Sequence, residues 1–154
     1  KKENIFFIGL KDLDQPEIDT LRRHKLNFMT NLDILRGRFD FLDKKLKELN
    51  RRVKNIWVSL DIDAVGKNYA PGSIMTDYAG LNYREITNIA KYIGRTCRVV
   101  GMDVVELAPK HDVGGTTAKL ILELIPAFLG SEYNDYIKYL ENYSYNRKKN
   151  VRSY

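Results

Sequence analysis

Apolar and polar positions along the chain follow two alternating patterns. Residues 4–9 (NIFFIG) are a short apolar run closed by a glycine, which predicts a strand. Residues 1–4 are expected at the edge of that strand. In Asp14-Gln15-Pro16-Glu17 the proline suits the first turn of a helix, expected to reach about Lys25. Residues 26–29 form a brief apolar run and a second strand. Asn31 is expected to cap one long helix, because Leu35, Phe39, Leu42, Leu46 and Leu49 recur every four or three positions and share a face. Residues 54–61 (KNIWVSLD) give the clearest strand pattern.

Residues 62–80 hold three of the ten glycines and one of the four prolines, so a long loop is expected there. Asn82 with Glu85 three positions on resembles a capping box, and Ile86, Ile89, Ala90 and Ile93 mark one face of the helix that follows. Residues 98–105 (RVVGMDVV) read as a strand and 106–115 as a loop. A helix from about Thr116 to Leu129 is apolar nearly all round and is expected to be well buried. Beyond it the chain turns polar, with one weak helix pattern over 132–142. Strands alternating with helices predict an α/β fold: a mainly parallel sheet between helices, in three layers. A length of 154 residues suits one domain. With three or four strands, one beginning almost at residue 1, residues 1–154 are expected to be half of a larger sheet, 131–154 forming a tail.

Composition narrows the classes. Hydrophobic residues are 44% and charged residues 30%, an ordinary globular balance. The longest apolar stretch, 120–129, is broken by Glu123 and falls short of the roughly 18 residues a membrane span needs. The opening KKEN carries no signal-peptide pattern. The single cysteine, Cys97, has no internal disulfide partner and reads as a core residue. A cytoplasmic protein without a membrane partner is expected. The net charge of +6 gathers in residues 44–54 and 147–152. Basic residues interleaved with tyrosines can touch nucleic acid. No nucleic-acid motif accompanies them, so a solvated tail is expected instead.

Ligands of open parallel sheets bind at the carboxyl ends of strands. Asp61 and Asp63 fall there, and residues i and i+2 of a strand point to one side. Two carboxylates that close raise each other's pKa unless a cation compensates, and such pairs suit hard divalent ions such as Mg or Mn. The alternative is that one aspartate caps the loop and the other is solvated. Glu106 ends the strand of residues 98–105 and should reach the same rim. Asp103 lies inside an apolar run and needs a partner, expected to be neighbouring backbone or a basic side chain. His111, in the loop after Glu106, is a candidate substrate neighbour, with solvation as the alternative. His24 is expected on an exposed helix face. No glycine-rich phosphate loop is present.

These residues carry a resemblance. Val58-Ser59-Leu60-Asp61-Ile62-Asp63-Ala64-Val65, followed by Tyr69-Ala70-Pro71-Gly72, resembles the S-x-D-x-D-x-x-D-P and A-P-G sequences of the ureohydrolases. That family comprises the arginase, agmatinase and formimidoylglutamase enzymes. Gly80-Leu81-Asn82-Tyr83-Arg84-Glu85 is similar to its G-L-[ST]-x-R-E helix start. Gly101-Met102-Asp103-Val104-Val105-Glu106 with Pro109, Asp112 and Thr117 is similar to its G-x-D-x-V-E-x-x-P-x-x-D segment, in a form nearer to agmatinases. The resemblance implies a three-layer α/β/α fold and a pair of Mn ions. It implies hydrolysis of a guanidino or formimino group by a metal-bridging hydroxide, most simply agmatine to putrescine and urea. It assigns Asp61 and Asp63 to the metals and Glu106 to the substrate guanidinium. It also implies a homo-oligomer, a trimer or hexamer.

The sequence departs from the family at Gly66 and Lys67, where the pattern has Asp and Pro, and at residues 73–78, where it is glycine-rich. The family's G-G-D-H and D-A-H-x-D motifs, with four further ligands and a nearby proton-shuttle histidine, are absent. By this resemblance residues 1–154 are expected to be the C-terminal half of a single ureohydrolase domain; no catalytic residue is assigned here, and the 154 residues alone are expected to be inactive. Arginase or formimidoylglutamase activity and a ureohydrolase-like subunit without catalysis stay open. A phosphatase of the haloacid dehalogenase type matches residues 57–65 locally but lacks its downstream lysine and paired aspartates.

Overall fold

The computed structural model describes residues 1–131. The weak helix pattern at 132–142 and the basic tail lie outside the described residues. In chain order the elements are β1 (Phe6–Leu10), α1 (Gln15–Arg23), β2 (Asn27–Thr30), α2 (Asn31–Leu35), α3 (Phe39–Arg52), β3 (Ile56–Asp61), α4 (Tyr83–Thr96), β4 (Val99–Val105) and α5 (Thr116–Phe128). A 3₁₀ turn at Lys2–Asn4 replaces the expected strand edge.

Asp14 caps α1 and Asn82 caps α4, each in a capping box with the glutamate three positions on. Residues 31–49 do not form one helix. Thr30, rather than Asn31, caps the short α2 through a capping box with Asp33. Gly37, at φ 71, then turns the chain before α3 begins. Leu35 and Phe39 flank that break and are exposed, while Leu42, Leu46 and Leu49 form the buried stripe of α3. The periodicity carries across the interruption, so spacing alone did not show it.

The strands pair in parallel as β1 with β2 and β3 with β4. Ile8 and Met29 on the first pair and Leu60 and Val104 on the second join one core with Ile34, Leu42, Ile89 and Leu124 from the helices. On the opposite side of β1, Phe7 faces Leu21 of α1 across a cleft. Helices therefore lie on both faces of the β1–β2 pair, as layered α/β order requires. Truncating a fully packed residue such as Leu42 to alanine would cost about 2–5 kcal/mol.

Helix α5 is less enclosed than its composition suggests. Thr117, Leu120, Ile121, Leu124, Ala127 and Phe128 are buried, but Leu122 is 70% exposed. Where α5 meets α4, Gly94 lies so close to the carbonyl of Ala127 that a Cβ would strike it. Cys97 is buried in the core. No helix among the described residues is long and apolar enough to cross a membrane.

Candidate functional site

The carboxyl ends of β3 and β4 carry the acidic residues. β3 stops at Asp61, and residues 62–64 form a 3₁₀ turn. Asp61 and Asp63 thus do not share a strand face, as the i, i+2 spacing had suggested. Asp61 caps the turn instead, its Oδ1 accepting the Asp63 N–H at 3.1 Å. The turn still brings the two side chains together. Burial, and next the negative charge of Asp61, push the Asp63 carboxyl above its ordinary pKa; Glu106 adds to this and Lys11 opposes it.

Glu106 follows β4 directly with φ 63, in the left-handed region. That backbone is unfavourable for a residue with a Cβ, by about 1–2 kcal/mol. It swings the side chain out of the strand's alternation, and strain of this kind gathers at functional positions. His111 stands exposed in a 3₁₀ turn at Pro109–His111. His24, at the C-terminal cap of α1, is also exposed.

Asp103 finds its partners across the sheet. Its Oδ2 accepts from Trp57 Nε1 and its Oδ1 from Ser59 Oγ, each at 2.6 Å, and these bonds hold the carboxyl below its ordinary pKa. Neither neighbouring backbone nor a basic side chain is involved, contrary to expectation. The register explains the choice: Ser59 is directly opposite Asp103, and Trp57 opposite Gly101. A Cβ at 101 would strike the Trp57 ring, so the glycine lets the indole lie across the strand toward Asp103.

The long loop is tied down at its base and at its middle. At its base Gly66 N–H donates to the Leu81 carbonyl at 2.9 Å and Leu81 N–H to that of Ala64 at 2.8 Å. In the middle the Ala108 N–H donates to the Gly72 carbonyl at 2.7 Å, and Gly72 N–H donates to Thr117 Oγ1 at 2.7 Å. Asp112 accepts from the backbone N–H groups of Thr117 and Ala118 at 2.8 and 3.0 Å, satisfying the start of α5. Although burial opposes it, these bonds hold Asp112 below its ordinary pKa. Gly72, Asp112 and Thr117 thus serve the loop's shape.

Two residues here carried no local signal in the sequence. Lys11 follows β1, its side chain only 13% exposed, and its Nζ pairs with Asp77 at 2.9 Å and Asp12 at 3.2 Å. Its place just past the end of β1 is the signal that could have found it. Its partner, 66 residues away, could not be read from spacing.

Among the described residues no group of three His, Cys, Asp or Glu is placed to hold a metal ion. Asp61 and Asp63 are hard oxygen donors whose mutual repulsion a divalent cation would relieve, so they fit such an ion in kind and fall short in number.

The model of the arginase family matches residues 1–130. The chain is 38% identical over 149 residues to an arginase of Plasmodium berghei (strain Anka), an alignment covering 86% of this chain and 42% of that protein. It superposes on the crystal structure of arginase from Bacillus subtilis with a TM-score of 0.80 at 27% identity, over 87% of this chain and 47% of that one. The formimidoylglutamase of Bacillus subtilis subsp. subtilis str. 168, at 21% identity and a TM-score of 0.77 over 87% of this chain and 43% of that one, shares the fold. The chain spans less than half the length of each of these relatives.

Proposed function

The chain belongs to the arginase family, and from that premise we propose that it is the C-terminal half of a Mn-dependent hydrolase of guanidino compounds. One observation carries the reading. Asp61 and Asp63 lie together in the turn that ends β3, and Glu106 leaves the end of its parallel partner β4, so the acidic residues stand on one rim of the sheet where ligands of parallel sheets bind.

Asp61 and Asp63 would be metal ligands, joined by ligands from the remainder of the longer protein. When bound, such ions supply hydroxide near neutral pH. Glu106 would pair with the planar guanidinium through two parallel hydrogen bonds, fixing its orientation for attack. Its left-handed backbone restricts where that carboxylate can sit. The bonds among Gly72, Ala108 and Thr117 hold the long loop beside the β4 end. The proton shuttle would come from outside residues 1–154.

Arginine is the substrate proposed first, because the curated relative above is named arginase. Agmatine is the second reading, favoured by the form of residues 101–117. The haloacid dehalogenase reading has no support left, given the family. We further propose a homo-oligomer, a trimer or hexamer, in the cytoplasm; the oligomer rests on family analogy alone. The test is urea release by the full-length protein with Mn, assayed in parallel on arginine, agmatine and formimidoylglutamate. Turnover of arginine above the others supports the first reading, and turnover of agmatine above arginine the second. No product from any of the three leaves the inactive-subunit reading.

A further inference from the structure

Residues 73–76 lie in the stretch that departs from the family pattern, and among the described residues their backbone makes no backbone hydrogen bond. Ser73 is buried with no partner for its hydroxyl, while Ile74 and Met75 are exposed. The one side-chain tie is a long one, Thr76 Oγ1 to the Val65 carbonyl at 3.4 Å. The position of this stretch is therefore set by its two ends. One end is Gly72, held on Ala108 and Thr117 beside the chain leaving Glu106. The other is Asp77.

Asp77 is fixed three times. Its Oδ1 accepts the Ala79 N–H and its backbone carbonyl the Lys67 N–H, both at 2.7 Å, and its Oδ2 receives Lys11 Nζ at 2.9 Å. Of these bonds only the third reaches from residues 73–77 to the end of β1. Two positions on, Asn31 Nδ2 of α2 donates to the Ala79 carbonyl at 3.0 Å and holds the far side of the limb. Asp12, with φ 50, directs its carboxylate onto the same ammonium at 3.2 Å. Residues 73–76 thus run from Gly72, tied to Ala108 just past Glu106, to Asp77, tied to Lys67 four positions past Asp63 and to Lys11 at the end of β1.

We infer that Lys11 and Asp77 form a clasp that holds residues 73–76 across the rim between Glu106 and Asp63, making Lys11 a positioning residue for substrate capture. The inference rests on the hydrolase reading and names which residues set access to that site. Lys11 touches no substrate in this account. It acts by keeping the loop where a guanidino compound meets it.

The test uses the full-length protein with Mn and the better of arginine and agmatine. Lys11→Met and Asp77→Asn are each expected to raise KM about tenfold with kcat nearly unchanged, the pattern of lost uniform binding. The double variant should lose no more than either single one, because both break one contact. Lys11→Arg should restore most of the KM. A second readout is limited chymotrypsin cleavage after Tyr78, expected to quicken several-fold in Lys11→Met and to return toward the parent rate in Lys11→Arg. An unchanged KM, or an unchanged cleavage rate, overturns the clasp. If the parent releases no urea from any guanidino compound, the hydrolase reading fails with it, while the cleavage rates still decide whether the clasp exists.

Discussion

The backbone N–H of Gly72 donates to the hydroxyl of Thr117 across 2.7 Å, in a place closed to water and 45 positions apart in the chain. The bond joins the loop that follows the Asp61–Asp63 turn to the first turn of α5. Thr117 is fully buried, so removing its hydroxyl strands a donor that has nowhere else to turn. Thr117→Val is expected to cost about 1–3 kcal/mol, and Thr117→Ser clearly less. Urea denaturation at pH 7 measures both. A valine variant as stable as the parent would mean the bond contributes nothing.

Two glycines should respond differently to alanine. Gly94 packs against the carbonyl of Ala127, which is backbone and gives little room, so Gly94→Ala should cost about 1–3 kcal/mol through overpacking. Gly37 has open space around it and a φ of 71, so Gly37→Ala pays only for a left-handed backbone, about 1–2 kcal/mol. Adding a compensating small residue at the α4–α5 contact cannot rescue the first, because the obstacle is main chain. Thermal melts of the two variants, with crystal structures showing whether α5 has shifted, separate the causes.

Trp57 is the only tryptophan of the chain and donates to Asp103, so its fluorescence reports that carboxyl. The bonds from Ser59 and Trp57 hold Asp103 below its ordinary value of 3.8. A carboxyl whose pKa is lower in the folded than in the unfolded chain adds stability above the unfolded value and loses it as pH falls through the folded one. The Trp57 emission should therefore stay constant on acidification to the ordinary carboxylate range and change only below it. In Asp103→Asn that step should vanish. A transition at or above the ordinary value in the parent would contradict the assignment.

Asp63 has the opposite sign. Its pKa is raised by burial first and by Asp61 next, so its contribution is present below its unfolded value and is lost as pH rises through the folded one. Without metal the ionised pair is a liability at neutral pH. Asp61→Asn keeps the oxygen that caps the turn and removes the repulsion. The variant should be more stable than the parent at pH 7 without metal and should bind Mn more weakly. Melting temperatures with and without Mn check both halves, and a variant less stable in the metal-free state would show that repulsion is not the governing effect.

Much of this was legible in the residues. The proline in the first turn of α1 and the capping box of α4 are local, and so is the apolar stripe Ile86, Ile89, Ala90 and Ile93; all lie where the sequence pattern placed them, while the capping box of Asp14 with Glu17 was not read from it. The break at Gly37 was hidden because Leu35 and Phe39 keep helical spacing while facing water. Asp103 was read as needing a partner, but Ser59 and Trp57 become its neighbours only through strand register. The contact of Lys11 with Asp77 depends on how β1 and the long loop are brought together in three dimensions, which no local pattern encodes. The acidic rim was found because parallel sheets place ligands at strand ends; that Asp63 sits in a turn beyond the strand was not.

The central claim is that Asp61 and Asp63 hold a catalytic divalent metal for guanidino hydrolysis. The most direct measurement is urea release from arginine and agmatine by the full-length protein before chelation, after chelation, and after Mn is returned, with Asp63→Asn treated in parallel. The account predicts that chelation abolishes turnover, that Mn restores it in the parent, and that the variant stays at least about tenfold slower throughout, since losing even the partners of metal ligands costs about 10–100-fold. Turnover that survives chelation, or an Asp63→Asn enzyme as active as the parent, would contradict it.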